Sequence, residues 1–174
     1  MAKPRIIVTR RLPEPVERRL TEQFDAVLNR DDIPLTREAL GHALTNADAV
    51  MPTVSDRIDA EVLGTAPLRA RLLANFGVGF SHIDIDAARA RGLAVTNTPG
   101  VLTDATADLA MTLMLMAARR AGEGEHHVRA GDWTGWRPTH MIGRQVTGKT
   151  LGIIGFGRIG QAVARRARDG FGMT

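Results

Sequence analysis

Residues 150–160 read Thr150-Leu151-Gly152-Ile153-Ile154-Gly155-Phe156-Gly157-Arg158-Ile159-Gly160, a short apolar run closed by three glycines at the spacing G-x-G-x-x-G. An apolar run of this length bounded by turn residues predicts a buried strand, and the stretch from Ile159 to Arg168 predicts a helix. A strand entering and a helix leaving form the context in which this glycine spacing holds a dinucleotide. Gly155 permits the tight turn, Gly157 lets a pyrophosphate approach the backbone, and Gly160 lets the helix pack close to the strand. The helix N-terminus then offers unpaired N–H groups and positive dipole to the phosphates. The stretch predicts the start of a Rossmann dinucleotide-binding domain.

Upstream, short apolar runs alternate with amphipathic stretches. Strands are predicted at Ile6-Ile7-Val8, Ala26-Val27-Leu28, Ala47 to Met51, Leu72 to Phe76 and Leu93 to Thr96. Between them lie helices: one entered through Pro15 with Val16, Leu20 and Phe24 on one face, and one capped by Thr36. A short one follows from Asp59 to Leu63, and another starts at Asp84 or Asp86. Five strands joined by crossover helices imply an α/β fold with a parallel, doubly wound, flavodoxin-like sheet. The turn cluster Asn97-Thr98-Pro99-Gly100 then reads as a hinge, dividing residues 1–99 from residues 100–174. Beyond it a long helix is expected from about Asp104 to Arg120, followed by a polar segment from Gly122 to Thr147.

Composition removes several classes. With 44% hydrophobic and 24% charged residues in 174, the chain is of ordinary globular type. No cysteine is present, which removes disulfide scaffolds, Cys-based zinc sites and thiol catalysis. Of 23 basic residues 21 are Arg, and there is no Tyr or Cys, so a net charge of only +4 persists to high pH. The arginines are scattered among acids, so the basic balance does not indicate a nucleic-acid partner. No run reaches the ~18 apolar residues of a membrane span, and the N-terminus lacks a signal-peptide core. The expectation is a cytoplasmic chain with no membrane partner.

Several patterns are decoys. Gly143 to Thr150 fits G-x-x-x-x-G-K-[ST], but a phosphate-binding loop of that kind follows a strand and opens a helix, and here the order is reversed. His126 and His127 are adjacent and point to different faces, so they do not form a metal pair. Ser81, His82 and Asp84 have triad residue types, yet such close neighbours cannot converge as a triad must. No metal site is expected. Gly77-Val78-Gly79 is different: it sits at the carboxyl end of a parallel strand, where bare backbone N–H groups suit a carboxylate.

The chain resembles the D-isomer-specific 2-hydroxyacid dehydrogenases, most closely the glyoxylate/hydroxypyruvate reductases. The resemblance is carried in family order by Val54 to Asp59, Gly77-Val78-Gly79 through Ile83-Asp84, Val95 to Gly100, Thr103 to Ala110 and Gly148 to Gly160. It implies a substrate domain over residues 1–99 and the first part of an NAD(P)-binding domain, with a dimerisation arm, over residues 100–174. Val78 and Gly79 would bind the substrate carboxylate through backbone N–H groups. Thr103 would lie near the nicotinamide or phosphate end of the cofactor, and Phe156, Gly157, Arg158 and Ile159 would line its pyrophosphate. Trp136, in the segment Gly131 to Pro138, would reach the partner subunit's active site in a homodimer. Asp108 stands where the family more often has Glu.

The activity implied is reduction of glyoxylate, hydroxypyruvate or a similar 2-oxo acid by NADH or NADPH. The phosphoglycerate and formate dehydrogenase branches and a non-catalytic, cofactor-binding dimeric scaffold are the alternatives. The family's catalytic Arg, Glu and His match nothing before Thr174, and none of His82, His126, His127 or His140 stands at the catalytic histidine's position. Residues 1–174 are therefore expected to be inactive alone. Leu151 to Ile154 would be a central strand with both edges unpaired, so order beyond Gly148 is expected only where further chain or a partner covers it.

Overall fold

The computed structural model describes residues 2–64 and 67–174. The chain divides into two compact units, Met1–Pro99 and Gly100–Thr174.

The first unit is a five-stranded sheet built from β1 (Arg5–Val8), β2 (Asp25–Val27), β3 (Ala49–Met51), β4 (Leu72–Ala74) and β5 (Ala94–Thr96). Its order is β2-β1-β3-β4-β5, and every pairing is parallel. This is the flavodoxin-like doubly wound order. The crossovers are α1 (Glu14–Gln23), α2 (Arg37–Asn46), α3 (Ala60–Gly64) and α4 (Ile85–Ala90). Both faces are covered, as the near-continuous apolar strands require. Leu40, Leu44, Val50, Ile58, Leu63 and Leu73 form the core on one face, and Ile6, Val8, Leu12 and Leu20 the core on the other. The alternation of Ala49 and Val50 between those clusters is the two-residue period of a strand seen from both sides.

The sequence signals for helix starts act as expected. The Thr36 hydroxyl accepts from the Ala39 N–H at 3.2 Å, and the Asp84 carboxylate accepts from the Ala87 N–H at 2.9 Å. Of the two candidates for the fourth helix, Asp84 is the cap. Each cap of this type is worth ~1 kcal/mol. β3, β4 and β5 are one or two residues shorter than their apolar runs, because pairing ends before hydrophobicity does, whereas β1 also takes in Arg5 and β2 is shifted by one residue.

The second unit is helical. α5 spans Thr103–Arg119, α6 Ala121–Arg129 and α7 Arg158–Phe171. The polar segment from Gly122 begins within a helix: Arg120, at φ +55°, breaks the long helix, and α6 starts at once. Two glycines and a polar composition hide α6 from periodicity. It is supported instead by ion pairs from Arg120 to Glu123 (2.6 Å) and from Arg129 to Glu125 (2.7 Å).

Leu151 to Ile154, expected as a strand with both edges unpaired, joins no sheet among the described residues. Its ladder-like contacts there are two backbone bonds, from the Leu151 N–H to the Thr174 carbonyl (2.7 Å) and from the Thr174 N–H to the Lys149 carbonyl (3.1 Å). One opposing residue cannot make a ladder, and Ile154 is left fully exposed. Ala167, Val163 and Phe171 of α7 pack with Met111 and Met114 of α5. Arg166 bridges Asp104 (3.0 Å) and Asp108 (2.7 Å), so the acid at position 108 ties the two helices together.

Candidate functional site

The turn Gly77-Val78-Gly79 leaves the carboxyl end of β4, and its geometry follows from where its carbonyls go. The Gly77 carbonyl accepts from the Thr98 N–H (3.0 Å) and from Asn75 Nδ2 (3.2 Å). The Val78 carbonyl accepts from Asn97 Nδ2 at 2.8 Å, and the Gly79 carbonyl from Asn75 Nδ2 at 2.9 Å. In a planar trans peptide the C=O and the next residue's N–H point in opposite directions. Three carbonyls drawn inward therefore turn the N–H groups of Val78, Gly79 and Phe80 outward, and none of the three meets an acceptor among the described residues. Successive outward N–H groups make an anion-binding concavity. A side chain at Gly77 would place its Cβ 2.9 Å from Val54 Cγ1, whereas a Cβ at Gly79 would meet nothing within 4 Å. Space is therefore open at Gly79.

Behind the turn the polar groups are buried. Asn75 is 2% exposed, and its Oδ1 lies 2.9 Å from His82 Nε2. Burial pulls the His82 imidazole below its usual range, against the opposing pull of the Asp56 carboxylate. Asp56, also 2% exposed, accepts from the Thr9 hydroxyl (2.5 Å) and the Thr53 N–H (2.7 Å), which ties the ends of β1 and β3 together.

In the second unit, Gly155, Phe156 and Gly157 form the turn that opens α7. Gly155 has φ +89°, a conformation that favours glycine. A Cβ on Gly160 would stand 2.3 Å from the Gly155 carbonyl oxygen, so the third glycine is fixed by the close approach of helix to turn. A Cβ on Gly157 would meet nothing within 4 Å. The helix has no side-chain cap and no acid in its first turn, and the N–H groups of Arg158, Ile159 and Gly160 lack acceptors among the described residues. Three free donors at an uncapped helix start, with room at Gly157, fit a pyrophosphate. Thr103 is the first residue of α5.

Trp136 lies in the loop after α6 and is 82% exposed. With Arg120, His127, Trp133, Arg137 and His140 it lines a cavity of about 350 Å³. The rings of His127 and His140 stand 4.8 Å apart. Burial, followed by the charges of Arg137, His127 and Arg120, lowers the His140 pKa. The eight-residue pattern from Gly143 to Thr150 opens no helix: Gly143 abuts the end of α5, where the Arg144 N–H donates to the Ala118 carbonyl at 2.7 Å.

Val78 and Gly79 are thus brought together at one turn, and Gly155 to Gly160 at another. Sequence reasoning missed Asn75, Asn97 and His82 as parts of the first. By composition Asn75 reads as the tail of an apolar strand, although an Asn just before a Gly-x-Gly turn is a residue type that caps turns with its side chain.

Comparison with known proteins agrees with the layout. Residues 6–172 match the family described as D-isomer specific 2-hydroxyacid dehydrogenase, catalytic domain. The chain is 48% identical over 175 aligned residues to a glyoxylate reductase of Thermococcus kodakarensis, covering 98% of this chain and 52% of that protein. It is 42% identical over 173 residues to a glycerate dehydrogenase of Hyphomicrobium methylovorum, covering 99% and 53% respectively. A solved structure from Thermus thermophilus superposes with a TM-score of 0.88 at 46% identity, over 97% of this chain and 54% of that one. The chain spans about half the length of the curated relatives it matches. With nearly all its residues aligned and both glycine turns in place, the chain belongs to the D-isomer-specific 2-hydroxyacid dehydrogenases.

Proposed function

We propose that the protein carrying this chain reduces glyoxylate, hydroxypyruvate or a similar 2-oxo acid to the D-2-hydroxy acid, using NADH or NADPH. The observation that carries this reading is the set of three outward N–H groups at Val78, Gly79 and Phe80, which suits a small carboxylate. Names of the similar proteins support it: they include a glyoxylate reductase and a glycerate dehydrogenase. Val78 and Gly79 hold the carboxylate. The turn Gly155 to Gly160, with Phe156, Arg158 and Ile159, holds the pyrophosphate, and Thr103 lies toward the nicotinamide or phosphate end of the cofactor. When bound, the nicotinamide supplies the hydride for the carbonyl carbon.

Residues 1–174 supply binding and orientation rather than acid–base chemistry, and turn over nothing by themselves. The working assembly is a cytoplasmic homodimer in which Trp136 reaches the partner. Leu109, Leu113, Trp133 and Trp136 are each more than half exposed, an apolar surface that a second subunit would cover. Among the described residues no helix is long and apolar enough to cross a membrane. The test is oxidation of NADH and of NADPH, with glyoxylate and with hydroxypyruvate, by a polypeptide extended to the relatives' length and by residues 1–174 alone. Turnover by the first and none by the second is expected. Comparable rates would place the catalytic groups within these 174 residues.

A further inference from the structure

The carboxylate turn is held by side chains that touch no ligand. Both hydrogens of the Asn75 amide are committed, one to the Gly77 carbonyl at 3.2 Å and one to the Gly79 carbonyl at 2.9 Å. The reversed orientation would aim Asn75 Oδ1 at two carbonyl oxygens, so the bonding pattern fixes the amide. Its Oδ1 then faces His82 Nε2 at 2.9 Å and can only accept, which makes Nε2 the protonated nitrogen of His82. His82 is half-buried and lies just before α4, while Asn75 directly follows β4. One side-chain contact therefore ties two separate stretches of chain to the turn between them.

We propose that Asn75 and His82 are positioning residues for substrate: the His82 Nε2–H holds the Asn75 amide, which clamps the Gly77 and Gly79 carbonyls and so aims the Val78 and Phe80 N–H groups at the carboxylate. Asn97, through the Val78 carbonyl, aims the Gly79 N–H in the same way. The inference rests on the proposed role of this turn. It adds that the amides' direction is set by a side-chain relay, with His82 contributing a hydrogen bond and no proton transfer. A half-buried imidazole suits that task, because the bond needs one hydrogen and no charge.

The experiment is titration of the ¹⁵N-labelled 174-residue chain with oxalate, a non-reactive dicarboxylate, following the amide resonances of Val78, Gly79 and Phe80. In the unmodified chain these three should shift together and saturate. His82→Phe removes the donor and should weaken oxalate binding ~3–10-fold, the span of one hydrogen bond. His82→Gln restores an N–H at the same reach and should bind within about twofold of the unmodified chain. Asn75→Asp, which turns the two donors into acceptors facing carbonyls, should weaken binding more than His82→Phe, and it gives the readout from the other end if His82→Phe fails to fold. Rescue by Gln is the outcome a merely space-filling histidine would not give. If oxalate moves none of the three amides in the unmodified chain, the carboxylate reading itself fails. If it moves them but His82→Phe and Asn75→Asp bind as tightly as His82→Gln, the turn is the site and the relay is refuted.

Discussion

Replacing Gly160 by Ala tests the closeness of α7 to its turn, with two opposing terms. Alanine in a helix is favoured over glycine by ~1 kcal/mol, so an unconstrained site would be stabilised. Here the new Cβ would stand 2.3 Å from the Gly155 carbonyl oxygen, 3.3 Å from its carbon and 3.4 Å from Ile153 Cγ2. The first contact is roughly 1 Å inside ordinary van der Waals distance, and the opposing atom is backbone rather than a flexible side-chain tip. Overpacking of this kind costs ~1–3 kcal/mol. The clash wins by about 1 kcal/mol, which for a unit of this size lowers the melting temperature by roughly 4–8 °C. The assay is thermal unfolding by circular dichroism, with Gly157→Ala as comparator, since its Cβ meets nothing within 4 Å and its φ of −78° suits any residue. Gly160→Ala should melt lower than the unmodified chain while Gly157→Ala melts within a degree or two. A higher melting temperature for Gly160→Ala would mean that helix propensity wins, and would refute the argument that the third glycine is required by packing.

The comparator position gives a functional prediction as well: Gly157→Val should abolish measurable binding of NADH and NADPH in the extended protein while its circular dichroism stays unchanged, and retained affinity would remove the pyrophosphate assignment. In the first unit, Leu73 of β4 is fully buried, so Leu73→Ala should cost ~2–5 kcal/mol, read as a lower urea midpoint with an unchanged slope. Asp32 is held at a pKa of about 2 by hydrogen bonds from the Arg10 guanidinium and the Arg11 N–H. A lowered folded-state pKa contributes stability above the ordinary value near 3.8 that is lost as pH falls toward 2. The urea-midpoint difference between the unmodified chain and Asp32→Asn, a residue that tolerates the left-handed backbone at this position, should therefore be present at about pH 5 and vanish near pH 2. An unchanged difference across that range would show that Asp32 does not titrate as this ion pair requires.

The Arg10–Asp32 pair is invisible in sequence because its partners are 22 residues apart and meet only after β1 and β2 align in parallel. The same holds for Arg166 with Asp104 and Asp108 across α5 and α7. The His127–His140 contact likewise arises from a loop folding back on α6, and adjacency of His126 to His127 gives no hint of it. Local features behave otherwise. Thr36 and Asp84 cap the helices their spacing predicts, because a cap is satisfied within three residues.

Residues 1–99 carry in their own pattern the order and type of their elements, and the chain marks the places where glycine is obligatory. Short apolar runs separated by amphipathic stretches admit few arrangements other than a parallel sheet with helical crossovers. Glycine patterns mark turns where the backbone needs a positive φ or a close approach, as at Gly155 and Gly160, although Asp32 and Arg120 take a positive φ without glycine. Two matters are settled by packing instead. The run Leu151 to Ile154 has the composition of a strand but stays outside any sheet among the described residues, since a strand exists only through the hydrogen bonds of a neighbour. The direction in which the Val78, Gly79 and Phe80 amides point depends on Asn75, His82, Asn97 and Thr98, groups brought to one turn by β4, β5 and the start of α4. A sequence specifies which residues can make such bonds, and packing decides which of them meet.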